Sequence, residues 1–253
     1  MYTVNNPTQK IKISLLLLLY GVAIICHAGL PNSTTLVLNT TGYPPLSNDA
    51  RQGFLDRVAT QAFRRVGVEL KIVKLPAERA LLNANKHSID GEICRIAGLQ
   101  NVYPNLVAVP EEIMVWEFVA IGKPGLKTQS GWGSLHGYNV AIINGWKILE
   151  KNISPIASVT KVKDAPDLFR LLNHHRADYI VYERWAGAKH LQDMRSKENR
   201  IIMPALARRS MYIYLARQHA DLVHKLAKAL RSMKKDGSYK KIHKEVLGPY
   251  QNP

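Results

Sequence analysis

Two charged residues of opposite sign stand at matching places in the two halves of this sequence. Arg95 follows the short segment 89–94, and Glu183 follows the short segment 177–182. A guanidinium holds a carboxylate through two parallel hydrogen bonds, and a carboxylate pairs well with an ammonium group. Together they predict a site for a small ligand that carries both charges. The alternative for each is a structural ion pair, which for Arg95 would be with Glu92.

Four further residues are candidate ligand contacts because each lies close to the end of a predicted strand or the start of a predicted helix. Tyr43 stands before two prolines, where its ring can stack on a ligand or pack against neighbouring side chains. Gly145 has a backbone N–H that can meet an anionic group at a helix start. Its neighbour Trp146 can contact a ligand or pack between lobes, and Arg79 fits a cleft and a surface position equally well.

Neither a catalytic signature nor a metal-binding motif occurs in the sequence. The patterns G-x-S-x-G, H-E-x-x-H and C-x-x-C are absent, and Gly122 and Gly125 lack the spacing of a phosphate-binding loop. His174 and His175 are adjacent, so on a helix they point in different directions and make a poor metal pair. We therefore predict no cofactor and no metal site, and we expect binding rather than catalysis.

The elements that position these residues form a doubled pattern. Short apolar segments alternate with amphipathic helical segments, in which apolar residues such as Phe54, Val58 and Ala62 recur every four positions. Each half of the chain reads β-α-β-α-β, which predicts an α/β fold with mostly parallel sheets flanked by helices. Ligands of such folds bind beyond the carboxyl ends of the strands. The predicted strands cover residues 35–40, 69–74, 89–94, 138–143, 157–162 and 177–182.

The N-terminus has the composition of a secretory signal peptide. Lys10 and Lys12 precede an apolar run over residues 13–26, which is shorter than the roughly 20 residues of a membrane span. Cys26 and Ala28 supply the small residues of a cleavage site. A buried core helix and lipidation at Cys26 are the weaker alternatives, because the run is apolar on every face and lacks the small residue that should precede a lipidated cysteine.

Cleavage between Ala28 and Gly29 would send a basic chain with one cysteine to the periplasm. The net charge would fall from +16 to +14 with the loss of two lysines, and Cys94 would have no partner for an intramolecular disulfide. Such an excess of basic residues attracts nucleic acid, an anionic membrane surface or an anionic ligand. Export argues against nucleic acid, and the mature chain has no second apolar run that predicts a membrane span.

Several short motifs occur in an order that resembles bacterial extracellular solute-binding protein family 3, the amino-acid-binding proteins of ABC importers. They begin with Tyr43-Pro44-Pro45, the Gly-Phe-Leu-Asp of residues 53–56, and Asp90-Gly91-Glu92. Leu168-Phe169, the Ala-Asp-Tyr-Ile of residues 177–180 and the Lys-Asp-Gly-Ser-Tyr of residues 235–239 follow later. Each motif is weakly specific, and the resemblance, which covers nearly the whole mature chain, rests on their order and spacing.

The resemblance implies a two-lobed, type II periplasmic-binding fold with a cleft between the lobes. Two crossing segments, near residues 117–121 and 209–214, would join the lobes. Residues 1–28 would be the signal peptide, residues 29–118 plus 212–253 the first lobe, and residues 119–211 the second lobe.

The resemblance also implies roles for the two charged residues. In the family, an arginine of the first lobe grips the ligand carboxylate and an acidic residue of the second lobe grips its ammonium group. Glu183 matches the acidic position. The family usually carries the arginine in a Thr-x-x-Arg element, whereas residues 97–101 here read Ala-Gly-Leu-Gln-Asn and Arg95 lies a few residues earlier. This departure points to a divergent subgroup.

The expected function is capture of a small polar, amino-acid-like ligand by hinge closure. A monomeric periplasmic protein of this kind delivers its ligand to a separate ABC permease. Two alternatives remain open at this point. One is a sensing module that presents the ligand to a membrane receptor. The other is a periplasmic enzyme similar to cyclohexadienyl dehydratase, in which Glu92 or Glu183 acts as a general acid.

Overall fold

The computed structural model describes residues 34–251, so the predicted signal peptide lies outside the described residues. Eight strands are present in this range: β1 (Thr35–Asn39), β2 (Glu69–Val73), β3 (Gly91–Ile96), β4 (Leu106–Gly122), β5 (Asn139–Ile143), β6 (Ser158–Val162), β7 (Tyr179–Glu183) and β8 (Arg200–Ala216). The same range holds seven α-helices: α1 (Phe54–Arg65), α2 (Ala77–Asn85), α3 (Lys147–Ile153), α4 (Ala165–Asn173), α5 (Arg184–Asp193), α6 (Ala220–Lys235) and α7 (Ser238–Leu247).

The eight strands form one sheet in the order β2-β1-β3-β8-β4-β7-β5-β6. In the first half β1 pairs in parallel with β2 and β3, and in the second half β5 pairs in parallel with β6 and β7. Parallel strands need crossover connections, which helices α1 to α4 supply between consecutive strands. The predicted α/β fold with a doubled β-α-β-α-β pattern is thus confirmed.

Two strands of 17 residues each, β4 and β8, join the halves. They pair antiparallel from Leu106 opposite Ala216 to Gly122 opposite Arg200. At one end β8 also pairs with β3, and at the other end β4 pairs with β7. Register shifts, one of them between Phe118 and Ala120, interrupt this pairing. Such irregularities bend strands and let one sheet serve two lobes.

These long strands contain the crossings that the sequence led us to expect, near residues 117–121 and 209–214. No pattern in the sequence indicated that each crossing belongs to a continuous strand. The lobe limits of 29–118 plus 212–253 and of 119–211 remain a prediction.

Local sequence explains the individual elements, as α1 illustrates. Phe54, Val58 and Ala62 are completely buried on one face of this helix, as their spacing predicts. Asp56, in the first turn, accepts a hydrogen bond from the backbone N–H of Gly53, the residue before the helix. Beyond the last turn, Gly67 adopts a φ of +74°, a left-handed conformation that glycine takes without steric cost.

Buried apolar side chains from both halves form a continuous core. It includes Leu38 and Phe63 of the first half, Ile142 and Phe169 of the second, and Phe118 at the crossing. The two lobes are therefore in apolar contact where β4 and β8 pass between them. Within residues 34–251, no helix combines the length and the apolar composition that crossing a membrane requires.

Candidate ligand cleft

A small cavity lies where the two lobes meet, and we call it the central cavity. Its walls are Thr41, Leu81, Cys94, Arg95, Ile96, Leu99, Trp116, Phe118, Gly145, Trp146, Lys147, Ile148 and Met211. Its volume is about 50 Å³. Sites for small molecules typically occupy roughly 300–1,000 Å³. The lobes are therefore close together in this structure, and a ligand of ordinary size requires them to separate.

Arg95 lines the cavity, but it lies inside β3 rather than after it, because that strand runs from Gly91 to Ile96. Its guanidinium is already engaged on two sides. Nε donates to Glu92 Oε2 at 2.8 Å, and Nη2 donates to the Ala77 carbonyl oxygen at 2.9 Å. A register shift against β8 separates Glu92 from Arg95. In a regular strand, residues three apart point to opposite faces, so this irregularity allows the two side chains to meet.

Glu92 is the buried partner of Arg95 and is only 1% exposed. Its Oε2 also accepts a hydrogen bond from Asn39 Nδ2 at 3.1 Å, whereas Oε1 has no partner. Removal from water raises the pKa of the Glu92 carboxyl, and the nearby Arg95 charge opposes that rise. Arg95 and Glu92 are therefore an internal ion pair at the cavity wall.

Glu183 is the last residue of β7 and caps α5. Its Oε2 accepts a hydrogen bond from the Ala186 backbone N–H at 2.9 Å, while Oε1 has no partner. Burial raises the pKa of this carboxyl to about 8, so it is mostly protonated at neutral pH. Glu183 does not line the cavity, but it pairs across the sheet with Phe118, which does line it.

Five aromatic residues fill the contact between the lobes, and we call them the aromatic cluster: Tyr43, Trp116, Phe118, Trp146 and Tyr182. The Trp146 ring stacks on Tyr182 with centroids 5.4 Å apart and lies 5.2 Å from Trp116. The Tyr43 ring lies 6.3 Å from the Tyr182 ring, between centroids. Tyr43 therefore belongs to the cluster but does not line the cavity. Trp116 Nε1 and the Tyr182 hydroxyl are buried without hydrogen-bond partners. Because buried polar atoms are normally paired, these two unpartnered groups are exceptions within the described residues.

Gly145 forms the turn before α3 and lines the cavity with Trp146. Its φ of +83° is left-handed. The N–H that the sequence suggested for an anionic ligand group already donates to Glu150 Oε1 at 3.1 Å. A side chain at this position would approach Ala77 Cβ to 3.7 Å, which shows how closely the second lobe approaches α2 of the first.

A pair that the sequence reasoning missed spans the mouth of the cleft. Lys147 Nζ of α3 lies 2.9 Å from Glu78 Oε2 of α2, and Glu78 also accepts a hydrogen bond from the Tyr103 hydroxyl at 3.1 Å. These contacts lower the pKa of Glu78 and raise that of Lys147. The only sequence signal was the position of Lys147, two residues after Gly145.

The structure therefore brings three of the six predicted contacts to the cavity and leaves three away from its wall. Arg95, Gly145 and Trp146 line it. Tyr43 contacts the Tyr182 ring and Glu183 pairs with Phe118, and neither lines the cavity. Arg79 is exposed on α2. Tyr182 was missed, although it directly precedes Glu183 at the end of a predicted strand.

No model of a known protein family matches this chain. A relative in Shewanella oneidensis, described as an uncharacterized protein, is 24% identical over 203 residues, which are 77% of this chain and 76% of the relative. Solved structures show a clearer likeness. An ancestral arginine-binding protein bound to glutamine has a TM-score of 0.71 and 20% identity, covering 85% of this chain and 98% of its own.

This chain has the two-lobed periplasmic-binding fold. A substrate-binding protein of an amino acid ABC transporter matches 85% of this chain and 99% of its own, with a TM-score of 0.69 and 17% identity. The ancestral amino acid-binding protein AncCDT-1, described as a precursor of cyclohexadienyl dehydratase, matches 84% of this chain and 95% of its own at 16% identity and a TM-score of 0.67. At these identities the likeness establishes the fold, so function must be argued from the site.

Proposed function

We propose that this protein is a periplasmic solute-binding protein that closes its two lobes over a small polar ligand with an amino group and delivers it to an ABC permease. The observation that carries the proposal is the position of Arg95, Gly145 and Trp146 around one cavity at the lobe junction. Glu183 pairs across the sheet with the lining residue Phe118 and keeps an unpartnered carboxyl oxygen. Recognition groups from both lobes therefore converge on one place.

Binding proceeds by separation and closure of the lobes about β4 and β8. The central cavity, about 50 Å³, holds no ligand of ordinary size until the lobes part. Bending at the irregular pairing near Phe118 enlarges it, and closure around the ligand restores the contacts between α2 and α3. In this scheme Arg95 and Tyr43 hold the ligand from one lobe, and Glu183 and the Gly145 turn hold it from the other. Trp146 packs against it, and Arg79 borders the entrance.

A thermal-shift panel on the purified protein tests this function. The panel contains amino acids, dicarboxylates, polyamines and small peptides. A ligand at 100 times its Kd stabilises the fold by about 2.7 kcal/mol, which raises Tm by roughly 5–10 °C in a chain of this size. We expect a confined set of amino compounds to stabilise the protein and Arg95→Ala to weaken that effect. Equal stabilisation of the parent and the variant would remove Arg95 from the site.

The partner is tested separately, by recovering membrane proteins that associate with the ligand-loaded protein. Recovery of a permease supports transport. Recovery of a receptor instead would assign the same closure to sensing and would contradict the transport part of the proposal.

A second candidate is catalysis by a buried carboxylic acid. The observation that favours it is Glu183, whose pKa of about 8 keeps a proton available at neutral pH for general-acid chemistry. The likeness in fold to AncCDT-1 directs the choice of substrate. Incubation with prephenate should yield phenylpyruvate, and Glu183→Gln should abolish that yield. An absence of turnover in the parent protein removes this candidate.

A further inference from the structure

The charged groups at the central cavity are unevenly supplied with partners. Two cationic side chains belong to the cavity wall within the described part of the chain, Arg95 and Lys147. Arg95 is paired with Glu92 and also donates to a backbone carbonyl. Lys147 is paired with Glu78 and lies near Glu150. Both cations are therefore already paired with carboxylates of the protein. Neither is free to bind the carboxylate of a ligand.

The buried acids show the opposite condition. Glu92 and Glu183 are each 1% exposed, and each keeps one carboxyl oxygen without any hydrogen-bond partner. A buried polar atom without a partner is costly, so such an oxygen marks a place where a donor can gain binding energy. An ammonium group supplies up to three N–H donors and a compensating positive charge. A ligand carboxylate would instead meet two carboxyl groups that offer it no cationic partner, in a poorly hydrated place.

The remaining lining favours the same ligand class. Trp116, Phe118 and Trp146 contribute aromatic faces to the cavity, and Ile96, Leu99 and Met211 contribute apolar surface. An ammonium group is attracted to the face of an aromatic ring, most strongly to that of tryptophan. The apolar wall in turn accepts the hydrocarbon part of a ligand.

We infer that the cleft recognises its ligand through an ammonium group alone, so that its ligands are amines with an apolar or aromatic body and need no carboxylate. This inference rests on the proposed function and specifies the ligand class of the same site. Glu183 and Glu92 are the specificity-determining residues. Arg95, which the proposed function places against the ligand, acts here as a positioning residue that holds Glu92 in place, and it does not grip a ligand carboxylate.

Matched ligand triads test the inference by calorimetric titration of the purified protein. Each triad contains an amino acid, the corresponding amine and the corresponding carboxylic acid. One triad is L-phenylalanine, 2-phenylethylamine and 3-phenylpropionate, and another is L-leucine, 3-methylbutylamine and 4-methylpentanoate. In at least one triad we expect the amine to bind as tightly as the amino acid or more tightly, and the acid not to bind.

Other outcomes separate the inference from the proposed function. If an amino acid binds at least tenfold more tightly than its amine, the proposed function stands and the inference is wrong. Binding of a carboxylic acid without an amino group also overturns the inference. If no member of any triad binds, the result contradicts the inference and counts against the proposed function as well.

Two substitutions test the ligand preference directly. A purely structural role of Glu183 and Glu92 would not change the preference between amine and amino acid. Glu183→Gln keeps the helix-capping oxygen and should weaken amine binding at least tenfold. Glu198→Gln is the control, because Glu198 is exposed, pairs with Lys123 and does not line the central cavity, and it should change binding less than threefold. Glu92→Gln leaves the Arg95 charge uncompensated and should shift preference from the amine toward the amino acid by at least tenfold. Unchanged preference in both buried variants, at unchanged Tm, would overturn the inference.

Discussion

Lys147 Nζ lies 2.9 Å from Glu78 Oε2, and this ion pair joins α3 of the second lobe to α2 of the first across the mouth of the cleft. Both side chains are about half exposed, at 53% and 47%. Exposed ion pairs contribute little to stability, about 0.2–1 kcal/mol, and they are screened by salt. In the proposed hinge motion, an energy of that size would still change the proportion of closed molecules.

Neutralising this pair should favour the open form. We expect Lys147→Met and Glu78→Gln each to increase the radius of gyration measured by small-angle X-ray scattering without ligand. Comparison of the double variant with the two single variants should give a coupling free energy between the two side chains of about 0.2–1 kcal/mol. This coupling free energy should vanish in 1 M salt. Lys189→Met is the matched control, because Lys189 pairs with Asp193 within a single helix. An equal change in the control would remove the special role of the pair.

Glu183 should make stability depend on pH. Its folded-state pKa, about 8, is far above the ordinary 4.5, so the folded protein holds this proton more tightly than the unfolded chain. The resulting stability is fully present below about pH 4.5 and is lost as pH rises to about 8, at about 1.4 kcal/mol for each pH unit. Urea unfolding of the parent and of Glu183→Gln at pH 5.5 and pH 8 measures the difference.

The sign of this effect is specific. Between pH 5.5 and pH 8, the parent should lose stability relative to Glu183→Gln. Glu78→Gln serves as the control, because contacts lower the pKa of Glu78 and it is ionised throughout this range. Parallel pH profiles for the parent and Glu183→Gln would show that the carboxyl is already ionised in the folded protein.

Asp56 should stabilise the loop that carries Tyr43. Its carboxylate accepts hydrogen bonds from the Ser47 hydroxyl at 2.7 Å, the Asn48 backbone N–H at 3.0 Å and the Gly53 backbone N–H at 3.1 Å. Asp56→Ala leaves these buried donors unpaired, so we expect a loss of about 1–3 kcal/mol in the free energy of unfolding. Asp49→Ala, at an exposed position of the same loop, should cost less than about 0.5 kcal/mol. Equal losses would contradict the role of Asp56.

Gly145 should be required for its backbone conformation. A residue with a side chain at a φ of +83° is strained, whereas its Cβ would make only an ordinary contact with Ala77, at 3.7 Å. We expect Gly145→Ala to reduce the free energy of unfolding by about 1–2 kcal/mol. Gly133→Ala, on the surface of the same predicted lobe, is the control and should be nearly neutral. A neutral Gly145→Ala would show that the turn relaxes into another conformation.

Much of the fold could be predicted from the sequence, because helices and short strands reflect local periodicity. The spacing of Phe54, Val58 and Ala62 predicted α1, because residues on one face of a helix recur about every 3.6 positions. Strand β4 was not predicted, and only its residues 117–121 were named, as a crossing segment. It carries Glu111, Glu112 and Glu117 among its apolar residues, so neither a continuous apolar run nor a strict alternation marks it.

The candidate site could be predicted only as a set of positions near strand ends. Arg95, Gly145 and Trp146 do converge on one cavity, because the carboxyl ends of parallel strands share one edge of a sheet. Lys147 and Glu78 could not be matched in advance, since their contact depends on how far the lobes are closed. Closure is a property of the whole molecule and leaves no periodic signal in the sequence.

The sequence by itself determined the α/β class and the doubled pattern, because these follow from local patterning and chain order. Only the tertiary structure decided which charges are already satisfied. Glu92 and Arg95 are three residues apart in one strand and would point to opposite faces if that strand were regular. A shift in its pairing with β8 brings them to 2.8 Å, and that shift depends on a strand more than a hundred residues away.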